Sequence, residues 1–163
     1  MRGSAMGWII LALIPCMGWA QVGEKPEGWG YGFFAPGVFT PGTTSSLHFG
    51  VGGEGLVYKG LGVGGELGYL APTRASSLGI GVASLDGSYH FLTRSPEQKV
   101  VPFVTGGYTL GFRSGTANFL NYGGGVQYWF SRRLALRLEF RDHVHVTGGV
   151  AHGLGFRVGV AFR

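Results

Sequence analysis

Seven charged residues lie in apolar or glycine-rich surroundings: Glu54, Glu66, Asp86, Arg137, Glu139, Arg141 and Arg157. Four acids and three bases can neutralise one another, and in a nonpolar setting they must, because an unpaired buried charge is costly. A second candidate is the run Asp142-His143-Val144-His145-Val146-Thr147, with His152 close behind. Alternate strand positions project together, so His143 and His145 would share a face with Thr147. Nucleophilic catalysis needs a nucleophile beside a base, and an acid that orients the base. This run has no serine, and no acid follows in the loop. A metal site would lack a third ligand of fixed position and any carboxylate but Asp142. The run therefore reads as a polar strand end entering a loop. Gly50-Val51-Gly52-Gly53 and Gly62-Val63-Gly64-Gly65 are not phosphate cradles, since neither a helix nor a Lys-Ser/Thr pair follows. They read as strand glycines that let a sheet bend. No catalytic residue, metal or cofactor is expected.

Composition limits what these residues can be part of. Glycine is 33 of 163 residues, charged residues are 13 % and aromatics 14 %. Ordinary soluble domains carry about 7 % glycine and roughly 25 % charge. The chain is too apolar for disorder. It is too poor in Ala, Glu, Lys and Leu for a coiled coil, and it lacks the glycine triplet of collagen. Small residues are repeatedly needed beside large apolar ones.

Residues 1–20 read as a secretory signal peptide. Arg2 precedes the apolar run Trp8-Ile9-Ile10-Leu11-Ala12-Leu13-Ile14, and Gly18 and Ala20 fit a cleavage site before Gln21. The run is too short to span a membrane as a helix. Pro15 argues against lipidation at Cys16, the only cysteine, so residues 21–163 form one domain without a disulfide. Without Arg2 that domain has 12 basic and 8 acidic residues, net +4. The basic residues are scattered, with Arg132-Arg133 the only adjacent pair, so no nucleic-acid partner is expected.

The elements that must position the charges are strands. Leu154, Phe156, Val158, Val160 and Phe162 alternate with small residues and Arg157. Leu134, Leu136, Leu138 and Phe140 alternate with Ala135, Arg137, Glu139 and Arg141. A helix here would place Arg137 and Arg141 beside Leu134 and Leu138, leaving no apolar face. The same period puts Trp29, Tyr31 and Phe33 on one face. It does so for Leu47, Phe49 and Val51, for Leu61, Val63, Leu67 and Tyr69, and for Ala83, Leu85, Tyr89 and Phe91. Eight strands are predicted near 29–38, 47–58, 60–70, 79–91, 101–111, 121–130, 134–144 and 153–162. Facing in the fifth and sixth is open. Tight links at 59, 131–133 and, less so, 92–100 alternate with links at 39–46, 71–78, 112–120 and 145–152 that are rich in Gly, Ser, Thr and Pro.

Orientation decides function. A soluble barrel would carry Lys, Glu and Thr outside, yet the faces opposite the apolar ones are mostly Gly, Ala and Ser. A membrane barrel turns its apolar faces to lipid and its charges to the lumen. Eight strands leave a lumen just wide enough for side chains. Strand-end aromatics Trp29, Tyr58, Phe91, Trp129, Phe130 and Phe162 suit interfacial girdles. The expected fold is all-β: a closed, antiparallel, up-and-down transmembrane β-barrel of eight strands.

Particular motifs support this. Asp86-Gly87-Ser88-Tyr89-His90-Phe91, Pro102-Phe103-Val104-Thr105-Gly106-Gly107-Tyr108, Gly123-Gly124-Gly125-Val126-Gln127-Tyr128-Trp129 and Leu136-Arg137-Leu138-Glu139-Phe140-Arg141-Asp142 resemble the small eight-stranded outer-membrane β-barrel proteins of Gram-negative bacteria, the OmpA-like and OmpX-like class. The resemblance covers strands four to eight by motif and the first three by pattern. It implies a location in the cell outer membrane, with the N-terminus and tight turns on the periplasmic side and the looser loops outside. The implied partners are outer-membrane lipid and the barrel-assembly machinery, and no extracellular ligand is indicated. Arg163 after Phe162 departs from the aromatic ending usual in this class. Some members are lipid A deacylases using serine, histidine and a carboxylate, and that motif is not reproduced here. From turn to charge, the seven residues fall roughly 12–22 Å above the rim, one layer in mid-barrel. The expected function is structural or surface-interacting, with a lumen closed by this charge network. A small channel and a secreted soluble β-protein are the alternatives.

Overall fold

The computed structural model describes residues 27–40, 42–93, 98–145 and 150–163. The signal segment, Pro41, and parts of the 92–100 and 145–152 links, including Thr147, lie outside the described residues. Eight strands follow one another: β1 (Gly28–Thr40), β2 (Thr44–Tyr58), β3 (Leu61–Pro72), β4 (Ile80–His90), β5 (Val100–Phe112), β6 (Thr116–Trp129), β7 (Leu134–His145) and β8 (Ala151–Phe162). Each pairs antiparallel with its neighbours in sequence, and β8 pairs with β1, closing the barrel. Closure leaves no free sheet edge, as an apolar surrounding requires.

Seven of the strands are longer than their apolar patterns suggest, whereas β4 is shorter than the predicted 79–91. Two of the links read as loose are short turns: β1 and β2 are separated only by residues 41–43, and β5 and β6 only by 113–115. Ser45 and Ser46, which resemble loop residues in composition, belong to β2 and pair with Val38 and Gly37. Ser46 is buried in the narrow interior, where a small polar side chain fits. At the other end, Lys59 and Gly60 both have positive φ, +36° and +89°, as a two-residue hairpin turn with the matching twist requires.

The outer wall is apolar. Phe49, Val51, Val63, Leu67, Leu85, Val104, Leu120, Phe140, Val158 and Val160 are between 42 and 66 % exposed. Patches of that extent mark contact with lipid or protein. Girdle aromatics Tyr58, Phe91, Phe130 and Phe162 are exposed at the end carrying the termini.

Strand β1 reverses the expected facing. Trp29, Tyr31 and Phe33 point inward and are buried, and Trp129 packs against their cluster with Leu56, Ala135 and Ala161. Trp29 and Trp129 are therefore interior rather than girdle residues. Their rings meet edge-on, with centroids 6.3 Å apart. The volume between the charges and the termini end has to be filled, and large rings fill it. The outward face of β1 begins correspondingly small, with Gly28, Gly30 and Gly32 before Phe34, and a side chain at Gly30 would strike the Phe162 ring at 2.7 Å.

Glycine creates room for the charges. Glu54 lies opposite Gly64, Glu66 opposite Gly52, and Asp86 opposite Gly64 and Gly107. Arg137 faces Gly159, Glu139 faces Gly125, and Arg141 faces Gly123 and Gly155. A Cβ on Gly107 would meet Asp86 Oδ1 at 2.5 Å and run into the Leu85 carbonyl, whereas one on lipid-side Gly87 would touch nothing nearer than 3.8 Å. Gly107→Ala should therefore destabilise the barrel by about 1–3 kcal/mol, and Gly87→Ala by less than about 0.5 kcal/mol, measured as urea midpoints in vesicles. In the same assay Leu67→Arg, on the outer wall in mid-strand, should cost about 2–4 kcal/mol.

Candidate functional site: an ion-paired lumen

Period two carries Glu54 (β2), Glu66 (β3), Asp86 (β4), Arg137, Glu139 and Arg141 (β7) and Arg157 (β8) into the lumen, where they are 1–7 % exposed. They form one connected set. Arg137 Nη1 donates to Glu54 Oε2 at 3.1 Å, and its Nε donates to Glu139 Oε2 at 3.0 Å. Arg141 bonds three carboxylates: Glu66 at 3.1 Å, Asp86 at 2.9 Å, and Glu139 through Nε. Arg157 Nη1 reaches both oxygens of Glu66 at 2.9 Å and lies 3.8 Å from Glu139. Charge-assisted bonds of this kind are roughly twice as strong as neutral ones, and here they cross the lumen between β2, β3, β4, β7 and β8.

Sequence reasoning missed the neutral partners that complete the set. Tyr31 Oη donates to Glu66 Oε1 at 2.8 Å, and Asn121 Nδ2 donates to Asp86 Oδ1 at 2.8 Å and Thr109 Oγ1 at 2.9 Å. His90 Nε2 lies 2.6 Å from Glu54 Oε1, which also accepts from Ser88. Four carboxylates face three arginines, and His90 adds an imidazole partner at Glu54. A signal for it was present: Ser84, Asp86, Ser88 and His90 share one face of β4.

Aromatic rings hold the guanidinium planes. Arg137 lies 4.0 Å from the Phe103 ring centroid and 4.7 Å from that of Tyr31, and Arg157 lies 4.2 Å from that of Phe33. These contacts explain why β1 turns its rings inward: they pack the floor of the lumen and face the cations at once.

On the other side of the ion layer is a small cavity of about 20 Å³, lined by His48, His143, Arg141, Arg157 and Ser46 among others. That is space for about one water-sized molecule. Among the described residues, neither His48 Nε2 nor His143 Nε2 has a hydrogen-bond partner, and the two rings meet edge-on at 5.7 Å.

The three histidines considered with Asp142 do not converge. His143 is inside, and His145 lies beside the Phe119 ring. His152 Nδ1 pairs with Asp142 Oδ2 at 2.8 Å, where the same oxygen accepts from Tyr122 Oη at 2.9 Å. Tyr122 is exposed on the outer wall, and Asp142 lies beneath it. Among the described residues, no serine, threonine or cysteine hydroxyl or thiol bonds His152.

With this geometry in view, the comparisons define a class of fold. The N-terminal β-barrel domain of Pseudomonas aeruginosa OprF superposes with a TM-score of 0.61 at 16 % identity, covering 85 % of this chain and 100 % of that one. Neisserial surface protein A gives 0.61 at 17 %, covering 85 % and 99 %. The outer membrane enzyme PagL gives 0.57 at 12 %, covering 79 % and 97 %. The fold is that of the small eight-stranded outer-membrane barrels. No protein-family model and no curated protein sequence matches the chain.

Removing Arg141 would leave Asp86 without an arginine and weaken the pairing of Glu66 and Glu139, which keep Arg157 and Arg137. Arg141→Met should destabilise the barrel by about 3–5 kcal/mol, read as a lowered urea midpoint. Arg141→Met with Asp86→Asn should recover part of that loss, because the carboxylate left without an arginine is gone.

Proposed function

We propose that this is an integral outer-membrane protein of structural or surface-interacting type, with a closed lumen. The observation that carries the reading is the continuous ion-paired layer stacked on an aromatic floor of Trp29, Tyr31, Phe33 and Trp129. An ion entering from either mouth would meet arginines and carboxylates already bound to one another. Releasing them would leave uncompensated charge in a narrow interior. The cavity beside the layer has room for about one water, which argues against the small-channel alternative.

The exposed apolar belt argues against a secreted soluble protein, because so much contiguous apolar surface would drive aggregation in water. Outer-membrane lipid and the barrel-assembly machinery are the partners this reading implies. The reading of residues 1–20 as a signal peptide accords with export. One structural relative is an enzyme, but here the Asp142–His152 pair has no nucleophile bonded to it among the described residues, which favours a non-enzymatic role. At the end opposite the termini, three links are turns of three to seven residues: 41–43, 73–79 and 113–115. Any contact made from that side would use the barrel rim more than long projecting loops.

Planar-bilayer recording of the refolded protein tests the closed lumen. Wild type should give no discrete conductance steps. Sustained steps in the wild type would support the channel instead.

A further inference from the structure

Basic residues that look scattered in the sequence gather at one end of the barrel. Lys59, Lys99, Arg132, Arg133 and Arg163 are exposed at the end carrying the termini, where Glu27 is the acid among the described residues. Arg74 and Arg113 are the exposed bases at the other end. The densest part lies where β7 begins and β8 ends, at Arg132, Arg133 and Arg163.

That station is built rather than incidental. Ser131 Oγ accepts from the backbone N–H of Arg133 at 3.2 Å and of Leu134 at 2.9 Å, fixing the turn. The Arg163 backbone N–H donates to the Arg133 carbonyl at 3.0 Å, and its Nε donates to the Arg132 carbonyl at 2.9 Å. The Arg163 guanidinium also lies 4.2 Å from the Trp129 ring centroid and 3.5 Å from Glu27 Oε2. Arg132 and Arg133 pair with no carboxylate among the described residues. On the lipid side of the same station, Phe130, Leu134 and Phe162 are 55, 40 and 56 % exposed, and Leu134 pairs with Phe162.

A ligand fitting this station needs an anionic head for the arginines and an apolar body for the three side chains beside them. We infer that Arg132, Arg133 and Arg163 form a binding site for the phosphate group of an anionic glycerophospholipid in the leaflet at the termini end of the barrel. Guanidinium forks match phosphate oxygens bidentately. A zwitterionic headgroup would bring its own cation against the same arginines. An acidic soluble protein would leave the flanking apolar side chains uncovered. The inference rests on the barrel spanning a membrane, as proposed above.

The test uses the whole protein refolded into phosphatidylcholine vesicles doped with phosphatidylglycerol, then native mass spectrometry of the lipid retained on extraction. Wild type should retain phosphatidylglycerol in preference to phosphatidylcholine, and high salt should weaken the preference. Arg132→Gln with Arg133→Gln should reduce it by about five-fold per arginine, while Arg74→Gln with Arg113→Gln leaves it unchanged. If the first variant does not fold, the salt dependence of the wild-type preference decides. Equal retention of both lipids by wild type would overturn the site, as would an unaltered preference in a folded Arg132/Arg133 variant. Displacement of the lipid by inorganic phosphate alone would overturn the assignment to a lipid. Failure of wild type to give a heat-modifiable band in any vesicle would instead overturn the membrane reading itself.

Discussion

A charge inside an eight-stranded barrel has neither bulk water nor free space around it, so it must reach a counter-charge across the lumen. Arg141 meets this constraint most fully. From β7 it joins Glu66 on β3, Asp86 on β4 and Glu139 on its own strand. The positions of other residues follow. Long side chains can cross only if the neighbouring strands offer no Cβ in their way, and glycine stands opposite six of the seven charges. The high glycine content is thus tied to the ionic interior as well as to sheet curvature.

The outer wall follows from the same partition. Once ionic groups occupy the interior, the other residue of each strand pair is left to be apolar, and the belt from Phe49 round to Val160 results. Closure between β8 and β1 satisfies the backbone that the belt would otherwise leave bare. Sheet, belt and ion layer are three consequences of placing a hydrogen-bonded backbone and a few charges in a nonpolar surrounding.

Much of this was legible in the residues. In β7 and β8, charged or small residues alternate so regularly with Leu, Val and Phe that one register alone separates the two classes. In β1 the same alternation of Trp29, Tyr31 and Phe33 with glycine leaves the choice of face to packing across the barrel. The need to fill the lumen and face Arg137 and Arg157 outweighs the usual preference of aromatics for the wall. Links were misjudged for a related reason. Small polar residues suit turns in water and also suit a tight interior, so Ser46 reads as loop and folds as strand. His90 escapes a formal charge count, which omits imidazoles, although its strand position places it with Asp86.

The contact between Arg157 and Glu66 joins residues 91 positions apart, and Arg157 sits on the final strand. Glu66 has this partner only when β8 is in place beside β1. Without β8 the other strands hold an excess of carboxylates and an open edge together. Sealing the cylinder and neutralising its interior are consequently coupled, because a barrel short of its last strand lacks both.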